Sequence, residues 1–199
     1  SGTGFTVIFS TTRAFAALDD QGAIHAWGAS TYGGSGAPSG TGFTAIFSTG
    51  SAFAALDEQG RIHAWGANGG GGSGAPSGTG FVAMFSNQYA FAALDEQGAI
   101  HAWGDHDNNY NGAPSGTGFV ALFSTERAFA ALDDQGAIHA WGDSDSGGSG
   151  APSGTGFTAI FSNSYAFAAL DDQGAIHAWG DSRYGGSGAP SGTGFTAIF

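Results

Sequence analysis

Residues 16–28 read Ala-Ala-Leu-Asp-Asp-Gln-Gly-Ala-Ile-His-Ala-Trp-Gly, and this stretch returns four more times along the chain with few changes. The copies lie 38 residues apart, so the sequence consists of five tandem repeats and a short segment, residues 191–199, that begins a sixth. A fixed period of this length indicates a propeller, a solenoid or an array, because each repeat covers its apolar face only against its neighbours. We predict one domain over residues 1–199, with repeats at 1–38, 39–76, 77–114, 115–152 and 153–190.

Each repeat contains three segments that read as β-strands. In repeat 1 the first segment, residues 5–10, alternates between one face with Phe5, Val7 and Phe9 and another with Ile8, the period of two that is typical of a strand. Residues 14–18 and 23–27 fit a second and a third strand. Between these two lies Asp-Asp-Gln-Gly, in which aspartate suits the start of a turn and glycine the position with positive φ.

The rest of each repeat is rich in Gly, Ser and Pro, and it holds at most one short irregular strand, around Ala37-Pro38 in repeat 1. Short alanine side chains in the second and third segments fit inner strands that crowd together near the axis of a propeller. We therefore predict an all-β fold, a five-bladed β-propeller of 38-residue blades with three clear strands and one short or irregular strand per blade. A β-solenoid is the structural alternative.

Residues 16–28 and their copies resemble the core of the RCC1-like propeller repeat, Ala-Leu-x-x-x-Gly-x-Val-x-x-Trp-Gly, and the resemblance covers essentially the whole chain. It implies a propeller fold. The repeat is shorter than the usual RCC1 repeat, lacks its Gly-Gln-Leu-Gly segment and occurs five times instead of seven, so nucleotide-exchange activity does not carry over. The chain is most similar to short tryptophan-containing bacterial propeller repeats, or to a protein engineered from them.

Composition excludes several classes of partner. Sixteen acidic residues against four arginines give a formal charge of −12, which disfavours phosphate backbones and anionic membrane surfaces. No stretch approaches the roughly 20 apolar residues of a membrane span, and none has the pattern of a signal peptide. The absence of cysteine excludes disulfides and thiolate metal sites. We therefore expect no nucleic-acid partner, no membrane insertion, no targeting segment and no cofactor.

Two groups of titratable residues recur in every repeat. One histidine, His25 in repeat 1, precedes the tryptophan by two residues, and we predict a buried structural residue bonded to a nearby Ser, Thr or Asp. A ring of five imidazoles that binds a metal or an anion is the alternative, although five-fold rings match metal geometries poorly. The acid pair, Asp19 and Asp20 in repeat 1, is interpreted as part of the turn and not as an acid–base pair.

Two loop segments differ between copies, one before the second strand and one after Trp-Gly, and loops on a rigid scaffold often carry binding residues. The differences fit either tolerated surface drift or sites for a sugar or small polar ligand. For the second reading we single out the candidate ligand-binding residues Tyr32, Tyr89, Asp105, Asn108, Tyr165, Arg183 and Tyr184. Two acidic loop segments lack the spacing and bidentate acid of a calcium loop, so we expect no metal site.

No nucleophile is paired with a base, and the same residues occur five times instead of converging on one site, so we predict that the chain is not an enzyme. The sequence favours a structural or engineered propeller scaffold without a specific ligand. The alternative is a lectin-like module with repeated weak carbohydrate sites between blades. We expect a monomer. Because residues 191–199 nearly duplicate residues 1–9, a strand-exchanged dimer is an alternative to the monomer.

Overall fold

The computed structural model describes residues 4–105 and 112–198. Within these ranges, the chain forms five antiparallel sheets, each with three strands in chain order. This confirms the predicted all-β, five-bladed β-propeller. The strands are β1 (Phe5–Ser10), β2 (Ala14–Asp19), β3 (Ile24–Gly28), β4 (Phe43–Ser48), β5 (Ala52–Asp57), β6 (Ile62–Gly66), β7 (Phe81–Ser86), β8 (Ala90–Asp95), β9 (Ile100–Gly104), β10 (Phe119–Ser124), β11 (Ala128–Asp133), β12 (Ile138–Gly142), β13 (Phe157–Ser162), β14 (Ala166–Asp171) and β15 (Ile176–Gly180).

The long loop after each third strand differs from the prediction. In the part of the chain that the structure describes, residues 34–42 form no strand, so the short fourth strand expected around Ala37-Pro38 is not formed. Instead the loop opens with a single 3₁₀ turn in repeats 1, 2, 4 and 5, at Ser30–Tyr32, Asn68–Gly70, Ser144–Ser146 and Ser182–Tyr184. Glycine and serine in this segment favour turns, and turn chemistry prevails here over strand pairing.

The first strand of each repeat does not alternate strictly. In β4, Phe43 is opposite Asp57, but Ala45 is opposite Leu56, so the register shifts at a β-bulge. The extra residue lets Phe43 and Ile46 both become buried, while Thr44 is exposed. The prediction that Phe5, Val7 and Phe9 share one face was therefore wrong. A bulge inserts one residue into the pleat and reverses the faces beyond it.

The bulge gives each sheet two different apolar faces. The aromatic face of repeat 2 consists of Phe43, Ile46, Phe53 and Trp65, and the alanine face of repeat 1 consists of Ala14, Ala16 and Leu18. These two faces pack into one buried cluster, supported by Phe9, Ile24 and Ala26. The same arrangement joins repeat 2 to repeat 3 and repeat 4 to repeat 5. Short alanines on one side leave the space that the rings fill.

A glycine of the long loop completes each of these interfaces. Phe53 stacks on Trp65 with ring centroids 5.2 Å apart, and Trp65 Nε1 donates a hydrogen bond of 3.0 Å to the carbonyl of Gly33 in repeat 1. A Cβ atom at Gly33 would stand 2.6 Å from the Phe53 ring, and its φ of +88° also requires glycine. The bond recurs from Trp103 to Gly71 and from Trp179 to Gly147, at 3.0 Å each.

The contacts divide the chain into two compact units. The first contains repeats 1 and 2 and most of repeat 3, and the second contains repeats 4 and 5 together with residues 97–100. The single-domain organisation stays a prediction. Among the residues described, no helix has the length and apolar character needed to cross a membrane.

The two nearly identical terminal segments differ in structure. Residues 5–10 form β1, whereas residues 195–198 form no strand. The C-terminal segment nevertheless leaves repeat 5 along the usual path, because Gly194 N and Phe195 N donate to the carbonyls of Gln173 and Gly174 at 3.0 Å. Gly42 and Phe43 make the corresponding bonds at the start of repeat 2. Residues 194–198 therefore follow the course of a next first strand without a second strand to pair with.

Candidate functional site

The repeated histidine is held by the first acid of the repeated acid pair. In every repeat the histidine Nε2 lies 2.8–2.9 Å from an aspartate Oδ2. The predicted bond to a nearby Ser, Thr or Asp is confirmed, with aspartate as the partner, but the predicted burial was wrong, since the histidine side chains are 37–42% exposed. They lie near the hairpin turn, at the edge of the packed faces. The pairs are His25–Asp19, His63–Asp57, His101–Asp95, His139–Asp133 and His177–Asp171.

The same aspartate also closes the hairpin turn, as the sequence predicts. Asp57 Oδ1 accepts hydrogen bonds from the backbone N–H groups of Gln59, at 3.0 Å, and Arg61, at 2.9 Å. Burial acts to raise the pKa of Asp57, but the backbone donor of Arg61 and the side chain of His63 outweigh it, so the pKa lies below its ordinary value. For Asp19 the hydrogen bond from His25 is the largest cause of a lowered pKa. Asp19 and Asp57 therefore act as hydrogen-bond acceptors that hold the turn.

The first variable loop contains a structural position that the sequence analysis missed. Thr49 is buried, and its Oγ1 accepts from Ala52 N at 3.0 Å and donates to the carbonyl of Gly70 at 2.9 Å. Asn163 takes the same place in repeat 5, where its Nδ2 donates to the carbonyl of Tyr184 at 2.8 Å. The sequence does indicate this role, because the position is always Thr or Asn. Each of these side chains can donate one hydrogen bond and accept another at the same time.

The structure brings three of the candidate ligand-binding residues together in repeat 5. The rings of Tyr165 and Tyr184 meet with centroids 4.6 Å apart, and the guanidinium of Arg183 lies 5.6 Å from the Tyr184 centroid. Arg183 also makes two bonds to Asp181, from Nε to Oδ1 at 3.0 Å and from Nη2 to Oδ2 at 2.7 Å. The side-chain bond from Arg183 lowers the pKa of Asp181, and the same bond raises the pKa of Arg183.

A shallow pocket of about 340 Å³ lies beside this aromatic pair, between the loops of repeats 4 and 5. Repeat 5 contributes Tyr165, Arg183 and Tyr184 to its lining. Repeat 4 contributes the carboxylates of Glu126, Asp143 and Asp145, together with Arg127 and Ser146. Two of these carboxylates already have partners, because Asp143 Oδ1 accepts from the backbone N–H of Ser146 at 3.1 Å and Glu126 Oε1 lies 3.7 Å from Arg127 Nε. Ring faces beside carboxylate acceptors suit a neutral ligand rich in hydroxyl groups.

The other candidates lie elsewhere. Tyr32 belongs to repeat 1, where the Arg13 guanidinium lies 5.1 Å from its ring centroid. In repeat 3, the carbonyl of Tyr89 accepts from the backbone N–H of Asp105 at 3.1 Å. Asn108 lies outside the described residues. The candidates thus occupy equivalent loops of different repeats, and within the described ranges no three His, Asp or Glu side chains form a group that could hold a metal ion.

No family model matches the sequence, and no curated protein matches it either. The fold does resemble solved structures. The ectodomain of the Physcomitrella patens receptor kinase CR4 matches with a TM-score of 0.62 at 18% identity over 89% of this chain and 52% of that one. The CRINKLY WD40 ectodomain of the Arabidopsis thaliana receptor kinase ACR4 matches with a TM-score of 0.60 at 16% identity, over 89% of this chain and 69% of that one.

A third similar structure is Prp20p of Saccharomyces cerevisiae, the yeast RCC1, with a TM-score of 0.60 at 15% identity over 88% of this chain and 57% of that one. This chain spans just over half the length of the CR4 ectodomain and of Prp20p. At these identities the likeness concerns the fold alone. This likeness and the five repeated sheets together show that the chain has the fold of an RCC1-like β-propeller.

Proposed function

We propose that this chain is a β-propeller scaffold without catalytic activity and without a specific ligand of its own. The observation that supports this proposal is the use of the repeated polar side chains. Each repeated aspartate binds the histidine of its own repeat at 2.8–2.9 Å, and this geometry does not vary between repeats. A catalytic site needs different groups that converge on one point. The repeated aspartates and histidines instead bind each other in five equivalent turns.

A second candidate function is carbohydrate binding on repeat 5. It is favoured by the contact between Tyr165 and Tyr184 beside the pocket described above. Tyrosine rings offer flat apolar faces with a polar edge, and carboxylates accept hydrogen bonds from hydroxyl groups. The charge of −12 disfavours anionic glycans and nucleic acids, so a ligand here would be a neutral sugar. A single site of this kind gains no avidity, so its binding would be weak.

One experiment separates the two functions. The wild-type protein and the variant Y165A/Y184A are applied at high concentration to an array of neutral and anionic glycans. The variant Y32A is the matched control, because Tyr32 occupies the position of Tyr184 in repeat 1 but faces Arg13 instead of a second tyrosine. The scaffold proposal predicts no signal above background for all three proteins.

A wild-type signal on neutral glycans that Y165A/Y184A loses and Y32A keeps would replace the scaffold proposal with the lectin-like one. Cleavage of an arrayed glycan would contradict the absence of catalytic activity. Circular dichroism of the three proteins should give the same strand signal, because all three tyrosines lie outside the strands.

A further inference from the structure

The aromatic face of repeat 1 is the exception among the five. Phe15 is 46% exposed, whereas the four equivalent phenylalanines are at most 1% exposed. Trp27 is also 46% exposed, against 5% or less for the other four tryptophans. Phe5 and Ile8, which complete this face, are exposed as well. Repeat 1 therefore presents to solvent the set of side chains that the other repeats bury.

This exposed face already has the shape of a buried one. Phe15 and Trp27 stack with centroids 5.4 Å apart and an interplanar angle of 21°. The four buried pairs stack at 5.1–5.2 Å and 20–23°. The Phe–Trp pair is thus formed within the repeat and needs no neighbour to set its geometry, so little side-chain ordering would accompany its burial.

Repeat 5 carries the complementary feature. Its alanine face borders a cavity of about 260 Å³, lined by residues that include Phe161, Ala166, Ala168, Gly185 and Ile198. Gly185 is equivalent to Gly33, against which Phe53 packs and whose carbonyl accepts the Trp65 hydrogen bond. At Gly185 no aromatic ring fills that place. Among the described residues, only Asn163 Nδ2 comes within 4 Å of where its Cβ would stand, at 3.9 Å.

We propose that the alanine face of repeat 5 binds the aromatic face of repeat 1 of a second copy of this chain, head to tail. The chain itself provides the model for this contact, because alanine and aromatic faces join repeats 1 and 2, repeats 2 and 3, and repeats 4 and 5. Phe15 and Trp27 of the second copy fill the cavity, and Trp27 Nε1 donates to the carbonyl of Gly185. The two faces differ, so the association is heterologous.

The C-terminal segment takes part in this junction. Ile198 lines the cavity and Phe195 follows the path of Phe43, so residues 195–198 stand where the first strand of a following repeat would lie. Residues 1–9 and 191–199 differ only at Val7 and Ala197, and each fits that place. When the second copy docks, one of the two segments supplies the strand beside β2 of that copy, and the other is displaced.

The proposal is tested by sedimentation velocity over a wide range of concentration. Wild type is expected to form a species of at least twice the 19.7 kDa monomer mass. The variant F15A/W27A removes the aromatic face, and A168E places a charge in the cavity, so each alone should remain monomeric. Mixed together, they should form a dimer, because one carries an intact alanine face and the other an intact aromatic face. V82S/V120S, at exposed valines on neither face, is the matched control and should associate like wild type.

A wild-type protein that stays monomeric at every concentration would overturn the proposal, and so would variants that fail to combine on mixing. The cysteine-free chain allows a second measurement that does not depend on A168E folding normally. F15C and A168C are mixed under mild oxidation, since Phe53 and Ala16, which hold the equivalent positions, belong to one packed cluster. The expected product is a disulfide-linked F15C–A168C dimer well in excess of the roughly twofold surplus over each homodimer that random pairing of equal amounts would give. A random distribution, with the mixed dimer only about twice as abundant as each homodimer, would contradict a head-to-tail contact.

Discussion

Repeats 1 and 2 have nearly the same sequence, yet their aromatic faces have different surroundings. Phe15 stacks on Trp27 in repeat 1 as Phe53 stacks on Trp65 in repeat 2, at similar distances and angles. Only the second pair is buried, because the alanine face of repeat 1 covers it. The internal geometry of a repeat is thus set by its own sequence, whereas the burial that stabilises it depends on the neighbour.

The largest expected difference is in the stability lost when a phenylalanine is removed from a covered aromatic face or from the exposed aromatic face of repeat 1. Phe91→Ala removes a ring that is fully buried between repeats 2 and 3, and we expect a loss of about 3–5 kcal/mol in the free energy of unfolding. Phe15→Ala removes the equivalent half-exposed ring, which still stacks on Trp27, and should cost only about 0.5–1.5 kcal/mol in the monomer. Urea unfolding at low protein concentration measures both. Equal losses would mean that Phe15 is covered in solution.

A smaller difference is expected for the tryptophan hydrogen bond. Trp103→Phe keeps an aromatic ring but removes the donor to the Gly71 carbonyl, and the unpaired buried acceptor should cost about 1–3 kcal/mol. The matched variant Trp27→Phe changes an exposed ring and should leave the urea midpoint of the monomer unchanged. If Trp103→Phe is also neutral, the bond to Gly71 does not stabilise the interface.

The sequence predicts the repeated parts of this fold well and the differences between repeats poorly. The three strands, the Asp-Gln-Gly turn and a hydrogen-bonding partner for His25 follow from local patterns that recur five times. The bulge after Phe43 was missed, because a period of two contains no sign of an inserted residue. The exposure of Phe15 was also missed, because it depends on which faces have neighbours.

The candidate site shows the same limit. The sequence predicts that Tyr165 and Tyr184 lie in loops, but their contact depends on a 3₁₀ turn and on the bond from Asn163 to the Tyr184 carbonyl. Neither feature has a periodic signal in the sequence. The role of Thr49 could have been predicted from the sequence. The equivalent position is Thr or Asn in all five repeats, which indicates a specific hydrogen-bonding requirement.

The smallest expected effect is one in which repeats 1 and 2 should behave alike. Asp19 and Asp57 have similarly limited exposure, bind the histidine of their own repeat and have pKa values below the ordinary 3.8. Because the unfolded chain binds more protons than the folded one just below that value, stability should be fully present above about pH 4 and decline as the pH falls through the folded pKa. Asp19→Asn and Asp57→Asn should each remove a similar share of this decline, measured as the urea midpoint between pH 3 and 6. The hairpin is closed by hydrogen bonds within a single repeat. The adjacent repeat determines whether Phe15 and Phe53 are buried, but it should not change the effect of these aspartate substitutions. A much weaker effect of Asp19→Asn than of Asp57→Asn would show that even the turn depends on the adjacent repeat.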